Sequence, residues 1–161
     1  RIGSNVAKYA AAFGMNVNAY DPYKKVKSKK VTQYVNLNNM LKICDVVIIS
    51  IHLNKKNYHF FNNEKLKHLK KDVILINTSR GEIIDENALT KYFKSKKIKF
   101  YATDVVSDEH KLPKQKSKIF SIASCKNVNI TPHMAGLTYE SEEIAANIAV
   151  KNIERFFRNE N

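Results

Sequence analysis

The sequence predicts an α/β fold in which helices cover both faces of a doubly wound parallel sheet. Short apolar runs alternate with helical patterns about 8 to 15 residues long, as in repeated strand–helix units. Residues 45–51 are almost continuously apolar, which is typical of a strand covered on both faces. Polar residues follow several of these runs, and the ligands of such sheets bind beyond the carboxyl ends of the strands.

The elements can be assigned in order along the chain. Small apolar side chains at helical spacing predict a first helix that ends at Gly14, and a strand over 17–20 then leads to Asp21. Thr138 can cap a last helix over 138–157, whose early acidic and late basic residues complement its dipole. The other predicted segments are helices over 37–44, 63–70 and 85–94, strands over 45–51, 73–77, 98–104 and 128–130, and a long loop over 105–126.

Composition bounds the function classes. The 161 residues suffice for one domain with its own core. The formal charge of +13 comes from scattered lysines, so we expect a solvated lysine surface and no nucleic-acid partner. Two cysteines, Cys44 and Cys125, are too few for a disulfide framework or a metal site, which indicates a cytoplasmic setting and no metal. No apolar run approaches the roughly 20 residues of a membrane span, so we expect no membrane partner.

The chain opens in the middle of a motif. Gly3 stands at the start of the first helical pattern, and Asp21 follows the next strand. This is the second half of the dinucleotide-binding fingerprint G-x-G-x-x-G, in which the third glycine lets helix and strand pack closely and the later acid reaches the ribose hydroxyls. We therefore expect residues 1–161 to form a Rossmann-like domain that is truncated at its N-terminus and lacks its first strand and first two fingerprint glycines. Taken alone, Asp21 before a proline also fits an ordinary turn.

Three polar residues in fixed order carry the chemistry. Arg80 lies in Asn-Thr-Ser-Arg-Gly, Glu109 in Asp-Val-Val-Ser-Asp-Glu, and His133 in Thr-Pro-His-Met-Ala-Gly, each after a strand-like run. An arginine can bind a substrate carboxylate through its planar fork of donors. A histidine can transfer a proton near neutral pH, and a carboxylate can orient it and raise its pKa. These residue types together indicate acid–base chemistry on a small carboxylic acid.

The motifs around these residues resemble those of the D-isomer-specific 2-hydroxyacid dehydrogenases. This is the nicotinamide-dependent family of the phosphoglycerate, D-lactate and glyoxylate/hydroxypyruvate dehydrogenases. The resemblance implies an oxidoreductase that transfers a hydride between NAD(H) and a small 2-hydroxy or 2-oxo acid. It implies that Arg80 binds the substrate carboxylate, that His133 is the acid and base, and that Glu109 hydrogen-bonds His133 and keeps it protonated. Corepressors related to this family carry the same motifs, so a non-catalytic NAD(H)-sensing interaction module is the alternative.

The resemblance also implies where the cofactor is held. A carboxylate at Asp21 accepts hydrogen bonds from ribose hydroxyls and repels a 2′-phosphate, which favours NAD over NADP, although Lys24 and Lys25 soften that repulsion. The cofactor-binding residues that it implies are Arg1, Ile2, Gly3, Asp21, Thr78, Ser79, Asp104 and Gly136.

The sequence departs from the family pattern in one loop and in the part of the family's chain that it covers. Many members carry His-x-Pro and then a cofactor-side threonine after the strand at 45–51, whereas this chain has His52 at the proline position and Asn57 at the threonine position. The family's substrate-binding domain has no counterpart in residues 1–161. By resemblance we expect a homodimer of the intact protein, and we expect residues 1–161 alone to be inactive and to bind NAD poorly.

Overall fold

The computed structural model describes residues 2–110 and 117–158. The chain divides into two compact units, Arg1–Ile130 and Thr131–Asn161. In the described residues no helix is both long enough and apolar enough to cross a membrane.

The first unit alternates strands and helices, and the second consists of a turn-rich segment and one long helix. The elements are α1 (Ile2–Ala12), β1 (Val17–Ala19), β2 (Val31–Gln33), α2 (Leu37–Leu41), β3 (Val46–Ile49), α3 (Asn63–Leu66), β4 (Val73–Asn77), α4 (Glu86–Lys94), β5 (Ile98–Thr103), β6 (Val128–Ile130) and α5 (Tyr139–Phe157), with short 3₁₀ turns at Gly81–Ile83 and Lys118–Ser121.

All strand pairs in the described residues are parallel. Strands β3, β4, β5 and β6 form a four-stranded sheet in that order, and β1 and β2 form a separate pair. This confirms the predicted parallel α/β architecture. The first helix ends as predicted, because Gly14 adopts a φ of 79° that favours glycine.

One core surrounds the four-stranded sheet of the first unit, and α1, β1 and β2 contribute no buried side chain to it. Its fully buried side chains come from the sheet and from the helices that flank it, including Leu41, Leu66, Leu75, Leu89 and Ile98. Strand β4 alternates between buried and half-buried positions and ends on Asn77, which is completely buried. Because a buried side-chain amide needs hydrogen-bond partners, polar contacts are expected at this end of β4.

The sequence missed one strand. Residues 31–33 form β2, although the segment contains a single apolar residue, Val31. The strand forms through parallel pairing with β1, which no local pattern indicates. The side chain of Gln33 then holds the preceding loop: its amide accepts from the Val26 backbone N–H at 2.8 Å and donates to the Lys24 carbonyl at 2.9 Å.

Several predicted elements are shorter than expected, and helix α2, predicted over 37–44, ends at Leu41. Strand β3 stops at Ile49, because its partner strand stops opposite at Asn77. Helix α3 stops at Leu66, after which His68 and Leu69 donate to carbonyls three residues back. The chain thus tightens into 3₁₀-type turns, which commonly end short helices.

Candidate active site

The strand register brings three loop starts to one edge of the sheet. Ile49 of β3 lies opposite Asn77 of β4, which lies opposite Thr103 of β5. The residues that follow these three strands therefore emerge side by side. Arg80 and Asp104, both predicted from the sequence, belong to this edge.

Asn77 shapes the turn that presents Arg80. Its side-chain amide donates to the Arg80 carbonyl at 2.9 Å and accepts from the Ser79 backbone N–H at 3.1 Å. Its own carbonyl accepts from the Thr103 hydroxyl at 2.9 Å and from the Asp104 backbone N–H at 3.2 Å. No role of Asn77 was predicted from the sequence, and the available signal was a polar residue at a core-facing position of a strand.

Arg80 extends its guanidinium into solvent at this edge. The residue is exposed, and its Nη1 donates to the Ser79 carbonyl at 2.6 Å. Across residues 2–110 and 117–158, no carboxylate forms an ion pair with it. The remaining donors of the guanidinium can therefore bind an external carboxylate.

Ser79 and Thr78 differ in what their hydroxyls can do. The Ser79 hydroxyl donates to the Ile49 carbonyl at 2.8 Å and accepts from the Ile51 backbone N–H at 3.2 Å. It thereby ties the end of β4 to the end of β3. Thr78 is exposed. Of the two predicted cofactor-binding hydroxyls, that of Ser79 is already engaged within the protein.

The segment after β5 carries two acidic residues from the predicted set. Asp104 is 5% exposed, and Glu109 is half-buried in a turn over 107–110. Asp108 in this turn has a φ of 56°. A non-glycine residue in this left-handed region is uncommon, and such residues cluster at functional sites.

Gly81 allows the Arg80 turn and the Glu109 segment to touch. A Cβ built on Gly81 would lie 2.1 Å from the Val106 carbonyl carbon and 2.2 Å from the Ser107 nitrogen. No side chain fits at that separation. The backbones on either side of the site are therefore in direct contact.

A buried phenol lies beneath this edge. Burial raises the pKa of Tyr101 far above its ordinary value, hydrogen bonds with Thr103 and Asn77 oppose the shift, and the charge of Glu86 adds to it. The raised pKa favours the neutral phenol, and Tyr101 serves as a hydrogen-bonding member of the core.

The start of α1 packs closely on the end of β3. A Cβ on Gly3 would meet the Ser50 Cβ at 3.3 Å, which is tight. Gly3 thus packs closely against Ser50, and its part in a dinucleotide-binding fingerprint stays a prediction. Ile2 is the first residue of α1, and Arg1 lies outside the described residues.

Asp21 follows β1 and folds back on its own chain. One carboxylate oxygen accepts from the Tyr23 backbone N–H at 2.9 Å and from the Lys24 backbone N–H at 3.0 Å. This is an Asx-type turn, in keeping with the ordinary turn that the sequence also allows at Asp21. The residue is exposed, and its role in binding a cofactor stays a prediction.

The loop after β3 is held by its own side chains. The amide of Asn57 accepts from the Asn54 backbone N–H at 2.7 Å and donates to the His52 carbonyl at 2.6 Å. Asn57 therefore shapes the loop.

His133 and Gly136 belong to the second unit. His133 has a φ of 53°, and its backbone N–H donates to the Thr131 carbonyl at 3.0 Å. Gly136 lies in a turn that the Leu137 N–H closes by donating to the Met134 carbonyl at 3.0 Å. A left-handed conformation at a non-glycine residue costs of order 1–3 kcal/mol, and His59, Asp72, Lys96 and Asp108 adopt it as well.

Comparison with known proteins identifies the family. Residues 1–135 match the family model described as "D-isomer specific 2-hydroxyacid dehydrogenase, NAD binding domain". A glyoxylate reductase of Thermococcus litoralis is 35% identical over 99% of this chain and 47% of its own length. A D-3-phosphoglycerate dehydrogenase of Methanocaldococcus jannaschii is 34% identical over 99% of this chain and 30% of its own length. The chain thus spans about half, or less, of the curated relatives that it matches.

Solved structures show the same fold. A D-lactate dehydrogenase from Aquifex aeolicus, complexed with NAD and lactic acid, superposes with a TM-score of 0.89 at 34% identity, over 98% of this chain and 51% of that one. A D-lactate dehydrogenase with NAD+ from Lactobacillus jensenii gives 0.91 at 26% identity, over 99% and 51%. These matches confirm the predicted Rossmann-like fold class and the predicted cofactor, NAD. The chain belongs to the D-isomer specific 2-hydroxyacid dehydrogenases and is built as the NAD-binding domain of that family.

Proposed function

We propose that the full-length protein interconverts a small 2-oxo acid and the corresponding 2-hydroxy acid with NAD(H). The observation that carries this proposal is the exposed guanidinium of Arg80 at the carboxyl edge of the sheet, which forms no ion pair within the described residues. The relatives support it, since they are named glyoxylate reductase, phosphoglycerate dehydrogenase and D-lactate dehydrogenase.

The residues at the carboxyl edge suit a dinucleotide. The tight packing of Gly3 brings the start of α1 against the end of β3, and a helix start offers backbone N–H groups to a pyrophosphate. NADH, when bound, supplies the hydride. We propose that it is held by residues 1–3 at the helix start, by Asp21 at the ribose, by Thr78 and the backbone of Ser79, and by Asp104 and Gly136 at the nicotinamide end.

Arg80, Glu109 and His133 have separate roles in the proposed reaction. Arg80 binds the substrate carboxylate through two parallel hydrogen bonds, which orients the carbonyl. His133 donates a proton to the carbonyl oxygen as the hydride reaches the carbonyl carbon, and it takes the proton back in the reverse direction. Glu109 accepts a hydrogen bond from His133 and favours its protonated form.

The domain assignment is also a proposal. Strands β1 and β3 belong to separate sheets, although the Asn18 side chain of β1 reaches the Cys44 sulfur just before β3 at 3.8 Å. We propose that in the full-length protein a strand preceding Arg1 pairs with both, and that the substrate-binding domain lies outside residues 1–161. The two sheets would then become one.

A histidine replacement tests the proposed reaction. We expect the full-length wild type to oxidise NADH with at least one member of a panel of small 2-oxo acids, and His133→Ala to lower kcat about 10²-fold or more. Steady-state NADH absorbance measures both.

His68→Ala is the matched control. His68 follows α3 near Lys70, which pairs with Asp45 at the opposite, amino end of β3. The His68→Ala variant should retain wild-type turnover. Full activity of His133→Ala would remove the acid–base assignment. A wild type that binds NADH but turns over none of the acids would instead favour an NAD(H)-sensing interaction module.

Asp21 is expected to set the preference for NAD over NADP. In Asp21→Ala the repulsion of a 2′-phosphate is lost, so the ratio of kcat/KM with NADH to that with NADPH should fall about tenfold, a change of 1.4 kcal/mol. Asp45→Ala, which removes an exposed aspartate at the amino end of β3, should leave the ratio unchanged. Equal values of kcat/KM for the two cofactors in the wild type would show that Asp21 is not the selector.

Residues 1–161 alone should bind NADH much more weakly than the full-length protein. The proposed preceding strand would be missing, and unpaired backbone groups of β1 and β3 would face water. Isothermal titration of both proteins with NADH measures the difference. Equal dissociation constants would contradict the domain proposal.

The homodimer, the cytoplasmic location and the absence of a nucleic-acid partner stay predictions. Family members commonly pair through their cofactor domains, and sedimentation of the full-length protein at micromolar concentration tests this expectation. A monomer at that concentration would contradict it.

A further inference from the structure

A buried carboxylate lies outside the set of residues that the proposed reaction uses. Glu86 is the first residue of α4 and is 8% exposed. It is not needed to cap the helix, because the Asp85 side chain already accepts from the backbone N–H groups of Asn87 and Ala88. No ion pair joins it to a lysine or arginine in the described parts of the chain. A buried charge without a cation requires several hydrogen-bond donors.

Those donors come from two segments of the long stretch between β5 and β6. Oε1 of Glu86 accepts from the Ser107 backbone N–H at 3.0 Å, and Oε2 accepts from the Lys118 backbone N–H at 2.8 Å. The Ser117 hydroxyl lies 2.9 Å from Oε1 and 2.8 Å from Oε2. One carboxylate thus joins residue 107 to residues 117 and 118.

The same face of the site is held at two further points. Oε1 of Glu82 accepts from the Asp108 backbone N–H at 3.2 Å. Gly81 contacts the backbone between Val106 and Ser107, where no Cβ would fit. Residues 106, 107 and 108 are therefore each held against the segment that begins at Arg80.

The bonding pattern requires a carboxylate. Both oxygens of Glu86 accept from backbone N–H groups, and a glutamine could present only one oxygen. Its NH₂ group would face the N–H of Ser107 or that of Lys118, which leaves two donors opposed in a buried place. Hydrogen bonds from neutral donors to a charged acceptor are also stronger than bonds to an amide.

We propose that Glu86 is a positioning residue for Glu109. Glu86 holds the backbone at Ser107, two residues before Glu109, against the turn that bears Arg80. The distance between Glu109 and Arg80 is thereby fixed. This inference rests on the proposed function, because Glu109 and Arg80 take their roles from it. Glu86 itself touches no reacting atom.

The first experiment measures kinetics of Glu86→Gln in the full-length protein. Displacement of Glu109 should lower kcat about tenfold or more, while KM for NADH stays within about twofold of the wild-type value. Ser117→Ala removes one donor to the carboxylate and should lower kcat less, in the same direction. Ser121→Ala makes the same chemical change on an exposed hydroxyl that donates to the Lys118 carbonyl, and it should behave as wild type. Wild-type kcat in both Glu86→Gln and Ser117→Ala would overturn the proposal.

A double-mutant cycle separates positioning from general stability. If Glu86 acts through Glu109, adding Glu86→Gln to Glu109→Gln should lower kcat by less than about twofold further. An equal loss in both backgrounds would show that Glu86 acts independently of Glu109 and would overturn the proposal.

Amide hydrogen exchange separates this inference from the proposed function. In Glu86→Gln the backbone amides of Ser107 and Lys118 should exchange faster than in the wild type, whether or not the protein is an enzyme. Absence of turnover in the wild type with every 2-oxo acid would remove the proposed function. Faster exchange in Glu86→Gln would still show that Glu86 holds the backbone at Ser107 and Lys118. Unchanged exchange at both amides would overturn it.

Discussion

The parallel pairing of β3, β4 and β5 is the constraint on which the site depends. Ile49, Asn77 and Thr103 lie in one register, so three chain segments leave the sheet at the same level. Arg80, Asp104 and Glu109 all follow the last paired residues of their strands. Every functional group at this edge is therefore carried by a segment whose backbone must be held by something other than strand pairing.

Short polar side chains hold those segments. Asn77 bonds to the turn that bears Arg80, Ser79 ties that turn to β3, and Glu86 holds the segment that leads to Glu109. Each is a side chain bonded to backbone, buried or half-buried. Net stabilisation per neutral bond is about 1 kcal/mol, but leaving a buried partner unsatisfied costs about 1–3 kcal/mol. The geometry of the edge is thus set more by the cost of breaking these bonds than by the gain in making them.

Close approach of backbones adds a second kind of control. At Gly81 the turn after β4 meets the segment after β5 with no room for a side chain, and at Gly3 the start of α1 meets Ser50. The 3₁₀ conformation at Gly81 is one that other residues also adopt. Glycine is required there only because a Cβ would collide with the backbone of the neighbouring segment. In both places a missing Cβ lets elements distant in sequence share one surface.

The sequence by itself determined the alternation of strands and helices, the apolar runs that become β3 to β6, the end of α1 at Gly14, and the family, because these follow from local periodicity and from motifs of contiguous residues. Among the candidate site residues, Arg80 and Asp104 were found at the sheet edge where the sequence analysis put them. Only the tertiary structure decided that β2 exists, that the Ser79 hydroxyl is engaged with β3, and that Asn77 and Glu86 organise the edge. Each of these depends on a partner distant in the chain or on how a backbone folds back on a side chain. A pattern along the chain can mark Asn77 as polar at a core-facing position, but it cannot name a hydrogen-bond partner about 20 to 30 residues away, because such a partner leaves no trace in local hydrophobicity or propensity.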